Sequence, residues 1–231
     1  MAHDPTLEEA ALRSSLLLGE MDAETAHSLI AVMTRCEYER GEVIFFEGAQ
    51  GETLYIIVKG KVKVARTARD GRENLLSLLG VGDLVGELSV FDPGPRMSRA
   101  HVPEDTIVYE LSKEALDAWL TEHFEASRFL LKALAKRIRR TSMTMADLVF
   151  TDVPGRVAKA IIDLGHRFGV ADRGHTVVRH GLTQEELAQL VGASRETVNK
   201  ALADFAGRGW IDVHMGSVVV YEPDRLRARA R

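Results

Sequence analysis

The chain has 231 residues, 45% hydrophobic and 28% charged, a balance that supports one or two ordinary folded domains and excludes a disordered or fibrous chain. No apolar stretch approaches the ~20 residues that cross a bilayer, and the single cysteine, Cys36, excludes an internal disulfide, an iron–sulfur cluster and a Cys-rich zinc site. The formal net charge of −4 divides unevenly: residues 1–150 carry 18 Lys+Arg against 24 Asp+Glu, net −6, and residues 151–231 carry 12 against 10, net +2. The change of sign hints at an interaction surface in the C-terminal part.

The N-terminal MAHDPTLEEAALRSS has no basic segment followed by an apolar one, so no secretory signal is expected and the cytoplasm is the expected compartment. From Gly41 to about Leu111 the apolar runs are short, β-branched and separated by glycines: EVIFFEG, TLYIIVKG, KVKVARTARDG, NLLSLLG, DLVGELSVF and TIVYEL. Punctuation every ten or so residues predicts an all-β roll or barrel. Within it Leu54, Ile56 and Val58, then Val62 and Val64, alternate as half-buried strands do, and Arg69-Asp70-Gly71 is a good hairpin turn.

After Ser112 the period changes. Phe124, Ser127, Leu131, Leu134, Ile138, Thr141, Met145 and Leu148 recur at spacings of 3 and 4, the seam of a coiled coil. The intervening Lys132, Lys136, Arg137, Arg139 and Arg140 keep the apolar stripe narrow, which suits a second copy of the same helix better than packing on the chain's own β-domain. The segment Thr151-Asp152-Val153-Pro154-Gly155 ends this helix, because a residue before proline avoids the α region and Gly155 adds flexibility. The predicted domains are therefore 1–112, 113–152 and 153–231.

Beyond the boundary, Val157, Ile161, Leu164 and Phe168 form a helical face, FGVADRGH reads as a loop and TVVRH as a short strand. Thr183 followed by Glu186 is a capping box, Val191-Gly192-Ala193 a tight turn, and Ser194 the cap of a second helix that buries Val198, Leu202 and Phe205. The opposite face presents Arg195, Glu196, Asn199 and Lys200, which can also form an intrahelical Glu196–Lys200 pair in solvent. WIDVHMGSVVVYE reads as a hairpin, so that a helix-turn-helix is followed by a wing. In such a motif the second helix reads base edges with its N-terminal residues: Arg195 suits a guanine edge, Glu196 a cytosine amine, and Lys200 a guanine or a phosphate. Ser194, Thr197 and the helix-end amides suit phosphate.

The segment VGASRETVNKAL resembles the recognition motif of the CRP/FNR family of bacterial transcription regulators. From about Leu17 onward the chain is similar to that family, and to its actinobacterial cyclic AMP regulators in GKVK, DGRENLL, FDPGPR, TDVPGRVA and QEELAQLVGASRETVNKAL. The resemblance implies an α+β chain: an N-terminal cyclic-nucleotide-binding β-roll (jelly roll), a long dimerisation helix and a C-terminal winged helix-turn-helix. It also adds Thr183 and Gln184 to the DNA-binding residues, and it implies a homodimer on a two-fold operator, with RNA polymerase as a further partner.

Gly82-Asp83-Leu84-Val85-Gly86-Glu87-Leu88-Ser89 with Pro93-Gly94-Pro95-Arg96-Met97-Ser98 resembles the phosphate-binding cassette of cyclic nucleotide domains. A cyclic phosphate needs a guanidinium and backbone amides, and a ribose hydroxyl is well met by a carboxylate. By resemblance Glu87 binds the ribose, Gly86, Leu88 and Ser89 shape the cassette and offer amides, and Arg96 and Ser98 hold the phosphate. Met97 departs from the pattern, since a thioether offers no hydrogen to a phosphate, and leaves room for weakened cyclic AMP binding, another nucleotide or none. Thr141 and Ser142 match the hydroxyl pair that meets adenine across the dimer. The eight histidines are scattered without ligand spacing, and no segment reads as a catalytic domain, so neither a metal site nor an enzyme is expected.

Overall fold

The computed structural model describes residues 5–68, 71 and 73–230. The chain is α+β and divides into two compact units, Met1–Ile138 and Arg139–Arg231.

In the first unit, α1 (Pro5–Arg13) and α2 (Ala23–Ala31) precede strands β1 (Thr34–Tyr38), β2 (Val43–Phe45), β3 (Thr53–Lys59), β4 (Val62–Thr67), β5 (Glu73–Leu79) and β6 (Leu84–Val85). A short helix α3 (Leu88–Phe91), strands β7 (Arg99–His101) and β8 (Thr106–Ser112), and helix α4 (Lys113–Glu122) follow. The strands make two four-stranded antiparallel sheets, ordered β1-β8-β3-β6 and β2-β7-β4-β5. Tyr55, Ile57, Val85 and Val108 of the first sheet meet Val62, Leu79 and Ala100 of the second, the interior of a sandwich. On the outer face of the first sheet Leu54, Ile56, Val58 and Leu111 pack under Leu12, Leu17, Leu29, Leu116 and Trp119.

That second layer corrects the expectation of half-buried strands. β3 is covered on both faces, which is why TLYIIVK is apolar almost throughout. The helices that cover it, α1 and α2, were not foreseen in the sequence. Glu8 of α1 is buried and takes a bidentate bond from Arg35 (2.9 and 3.0 Å) and a hydroxyl from Tyr109 (3.0 Å), which docks the helix on β1 and β8. DLVGELSVF is not one strand, because its extended part stops at Val85 and Leu88–Phe91 turns into a helix. Of the Arg69-Asp70-Gly71 turn, Arg69 and Asp70 lie outside the described residues; β4 and β5 on either side pair antiparallel.

The long helix α5 (Ser127–Phe150) starts three residues later than the heptad pattern suggests, with Phe124–Ala126 a 3-10 turn. Among its seam residues Leu131, Ile138, Met145 and Leu148 are each at least half exposed. Glu20 accepts from Lys132 and Lys136 (2.6 Å each), fastening the N-terminal segment to α5.

In the second unit α6 (Val153–Phe168) follows α5 after only Thr151 and Asp152. Asp152 caps it by accepting from Gly155 N (2.9 Å), with proline in its first turn. Gly155 is thus a buried helical residue rather than a flexible link, and a side chain there would strike Thr151 and Asp152. Strands β9 (Gly169–Asp172) and β10 (His175–Val178) form a hairpin where FGVADRGH reads as a loop. Its two turn residues, Arg173 (φ 47°) and Gly174 (φ 86°), are both left-handed, a conformation that arginine hides from a sequence reading. Helices α7 (Gln184–Val191) and α8 (Arg195–Gly207) then lead to β11 (Ile211–His214), β12 (Ser217–Val220) and a C-terminal helix α9 (Pro223–Arg229), the last also unforeseen. The sheet order is β11-β12-β10-β9, so the wing hairpin is backed by a second hairpin. Among the described residues no helix is long and apolar enough to cross a membrane.

Candidate functional sites

Two groups of residues carry chemistry, one in each unit. In the first, the turn from β6 into α3 places Glu87 and the segment before β7 places Arg96, and both are almost wholly enclosed, at 3% and 6% exposure. The Arg96 guanidinium donates to Gly86 O, Ser89 Oγ and Thr53 O, each at 2.6 Å, and lies 4.3 Å from the centre of the Phe45 ring. It fits because Gly51 and Gly86 leave space: a Cβ at Gly51 would sit 2.2 Å from Arg96 Nε, and one at Gly86 2.6 Å from a terminal nitrogen. Burial lowers the Arg96 pKa, against the raising influence of Tyr55 and Glu87, and Arg96 Nε is enclosed without a hydrogen-bond partner.

Glu87 is a buried carboxylate in want of hydrogens. Neither oxygen accepts a hydrogen bond, although Arg137 Nε of α5 stands 3.1 Å from Oε1. That geometry is an ion pair whose N–H does not point along a bond, so the charge is balanced while the lone pairs stay open. Arg137 also donates to Leu84 O (3.3 Å). The amides of Leu88 and Ser89 begin α3 and have no carbonyl within the helix to meet. Leu88 is half exposed, Ser89 is buried with its hydroxyl on Gly86 O (3.3 Å), and Ser98 is half-buried. Met97 points outward at 64% exposure. Gly86, Glu87, Ser89 and Arg96 are thus brought together. Thr141 and Ser142 stand exposed on the part of α5 that belongs to the second unit.

Arg137, Phe45, Thr53 and Gly51 were not among the sequence candidates. Arg137 lies one turn before Thr141 on α5, a spacing that could have singled it out; nothing in the sequence marks the other three.

In the second unit the capping box is complete, Thr183 Oγ1 accepting from Glu186 N (3.1 Å) and Glu186 from Thr183 N (2.8 Å). Gly192 is left-handed (φ 65°) and turns the chain into α8, whose cap Ser194 accepts from Thr197 N (3.2 Å). Val198, Ala201, Leu202 and Phe205 are buried, so Arg195, Glu196, Thr197 and Lys200 face solvent. Glu196 and Lys200 pair at 2.9 Å, both largely exposed, a weak link that a ligand can break. Asn199 departs from the expected open face: it is half-buried, and its Oδ1 is enclosed without a partner.

A groove of about 590 Å³ runs between α7, the start of α8 and the wing, bringing Thr183, Gln184, Arg195, His214 and Met215 to one surface. The wing tip is anchored there, because Gly181 N donates to Gly216 O (2.7 Å) and the two glycine backbones pass too closely for an unhindered side chain at Gly216. Met215 beside it is fully exposed. Among the described residues no group of three or more His, Cys, Asp or Glu could hold a metal ion.

Comparison with known proteins agrees with this division. Residues 35–123 match the cyclic nucleotide-binding domain and residues 155–229 the Crp-like helix-turn-helix domain. A CRP-like cAMP-activated global transcriptional regulator of Mycobacterium tuberculosis is 52% identical over 208 residues, 88% of this chain and 93% of that one. The cyclic AMP receptor protein of Thermus thermophilus is 34% identical over 211 residues, 91% and 94% of the two chains. Among solved structures, the c-di-GMP responsive global regulator CLP of Xanthomonas campestris superposes with a TM-score of 0.71 at 28% identity, covering 87% of this chain and 99% of that one. With a cyclic nucleotide-binding domain followed by a Crp-like helix-turn-helix, the chain belongs to the CRP/FNR family of transcription regulators, near its actinobacterial CRP-like members.

Proposed function

We propose that the protein is a cyclic AMP-responsive homodimeric regulator that binds a palindromic DNA operator. The observation that carries the effector reading is the pairing of Glu87, a buried carboxylate with both oxygens open, and Arg96, a buried guanidinium with an unpartnered Nε. A cyclic nucleotide complements both: its ribose 2′-hydroxyl donates to Glu87, and its phosphate accepts from Arg96, from the amides of Leu88 and Ser89 and from the hydroxyl of Ser98. Leaving either buried group without a partner costs about 1–3 kcal/mol, more where it is charged, so these two groups favour a polar ligand that satisfies both. Thr141 and Ser142 meet adenine, one chain supplying the hydroxyl to the other's ligand, which couples effector binding to the helices that join the two heads.

The exposed Leu131, Ile138, Met145 and Leu148 support α5 as the dimer seam, within a division of labour in which 1–112 senses, 113–152 dimerises and 153–231 reads DNA. Arg195, Glu196 and Lys200 read bases, while Thr183, Gln184, Ser194 and Thr197 hold phosphates and Asn199 supports them from its half-buried place. Two such heads engage half-sites about 34–36 Å apart, and this family supplies one of the standard examples of that geometry. The regulator acts in the cytoplasm, where it meets RNA polymerase, and has no catalytic role.

Titration calorimetry with cyclic AMP, together with operator binding measured with and without the nucleotide, tests the reading. Saturable heat and a change in operator affinity are expected; no heat and an unchanged affinity would sink it. Met97 favours a second reading, in which another nucleotide or none is the effector, because its exposed thioether offers no hydrogen where a hydroxyl would serve phosphate. A thermal-shift screen of cyclic AMP, cyclic GMP and cyclic dinucleotides separates the two.

A further inference from the structure

Arg156 does something that neither the effector nor the DNA reading requires. It sits in the first turn of α6, and its guanidinium reaches out of that helix to three carbonyls. Nε donates to Val191 O (2.9 Å), one terminal nitrogen to Gly192 O (3.2 Å) and the other to Thr151 O (2.8 Å). Val191 is the last residue of α7, Gly192 its cap, and Thr151 directly follows α5. These carbonyls belong to helix ends, which have no intrahelical partners and carry partial negative charge, so a planar cation with five donors suits them as no other side chain does.

Two further contacts act on the same joint. A Cβ at Gly192 would stand 2.9 Å from Leu148 Cδ2, so the helix-turn-helix turn rests directly on α5. Lys159 of α6 pairs with Asp147 of α5. The end of α5 is therefore tied both to α6 and to the turn between the two DNA-reading helices, with Arg156 as the only one of these side chains that touches all three.

We propose that Arg156 is a positioning residue that fixes the angle of the reading helix to the end of the long helix, and so sets the half-site spacing that a dimer accepts. The proposal rests on the two-headed reading above. A head held rigidly on its helix cannot follow a half-site displaced along the duplex. Each added or removed base pair shifts the half-site by about 3.4 Å and rotates it by about 34–36°. A head released from its tie can follow.

The test uses the full chain and an operator selected from random duplexes with the wild-type protein, then rebuilt with one base pair added to or removed from its spacer. Wild type should lose at least about tenfold in affinity on either change, an ordinary size for coupling between two sites, and Arg156→Ala less than about threefold. On a single half-site the two proteins should bind within about twofold of each other, because the donors of Arg156 are spent on the three backbone carbonyls. Arg156→Lys, whose single ammonium cannot span three carbonyls, should fall between them and carries the test if the alanine variant does not fold.

Variants as strict as wild type overturn the inference alone. So does a loss on the half-site equal to that on the full operator, which would make Arg156 a support of the fold rather than of the angle. A wild-type protein indifferent to the spacer overturns the two-headed reading and the inference with it.

Discussion

Replacing Gly51 by alanine puts a methyl group where Arg96 already lies. The new Cβ would stand 2.2 Å from Nε, 2.4 Å from Cζ and 2.7 Å from Cδ, all inside contact distance. Gly51 does not occupy the left-handed region, so alanine brings no backbone strain, and the whole effect falls on the arginine. Arg96 cannot yield cheaply, since its terminal nitrogens are held at 2.6 Å by Gly86 O, Ser89 Oγ and Thr53 O and its face by Phe45. Overpacking of this kind costs about 1–3 kcal/mol of stability, because the guanidinium must leave its cradle or push the surrounding loops apart. The loss for the ligand is larger. If Arg96 holds the phosphate as proposed, a displaced guanidinium forfeits one charge-assisted bond to it and weakens a second, about 3 kcal/mol together, or about a hundredfold in affinity. Calorimetric titration of G51A with cyclic AMP, beside a melting curve without ligand, measures both. A variant that binds within about threefold of wild type would refute the reasoning, since it would show that phosphate does not depend on Arg96 staying where it is.

Met97→Thr introduces a hydroxyl donor at the position next to Arg96 and should tighten cyclic AMP binding by about two- to tenfold, the value of about 0.5–1.5 kcal/mol for a neutral hydrogen bond; unchanged or weaker binding in the same titration counts against a phosphate contact there. Arg195→Ala should cost about 1–3 kcal/mol of discrimination at one base position while the slope of affinity against salt changes little, and a uniform loss with sequence preference intact would reassign Arg195 to phosphate. Glu20→Gln tests the clamp on α5. Hydrogen bonds from Lys132 and then Lys136 lower the Glu20 pKa from 4.5 to about 2, so its contribution is complete above pH 4.5 and disappears as pH falls toward 2. Wild type and E20Q should therefore melt apart above pH 4.5 and converge near pH 2, whereas a constant difference would remove the carboxylate from the account.

The parts of this molecule legible in its sequence are those whose causes are local. The capping box at Thr183 and Glu186, the left-handed Gly192 and the buried spacing Val198, Leu202, Phe205 place two helices and their turn from a few residues each. Glycine punctuation places the sheets, and the resemblance of 82–98 to a known cassette, rather than any local signal, brings Glu87 and Arg96 forward as a pair. What stayed hidden depends on partners far along the chain. Gly51 matters because Arg96 arrives beside it, Arg156 because the α7 terminus comes to it from 35 residues away, and β3 is apolar on both faces because α1 and α2 return to cover it. The β9–β10 turn shows another limit, since Arg173 holds a left-handed conformation that the neighbouring sheet enforces and its residue type disguises. Asn199 was misplaced for the opposite reason: helical spacing puts it on the open face, and only packing encloses it.

The tie between Gly181 and Gly216 bears on the thermodynamics of meeting DNA. A wing joined to the rest of the domain only through its own strands would be free to swing, and binding would have to arrest it at an entropic cost of about 1–2 kcal/mol for each residue ordered. Here the tip is already hydrogen-bonded to the segment leading into α7, and its strand β12 is paired on both sides. Most of that ordering has taken place during folding. The surface that reaches DNA is therefore preorganised, so binding depends less on a large electrostatic attraction, which the net charge of only +2 over residues 151–231 would not supply.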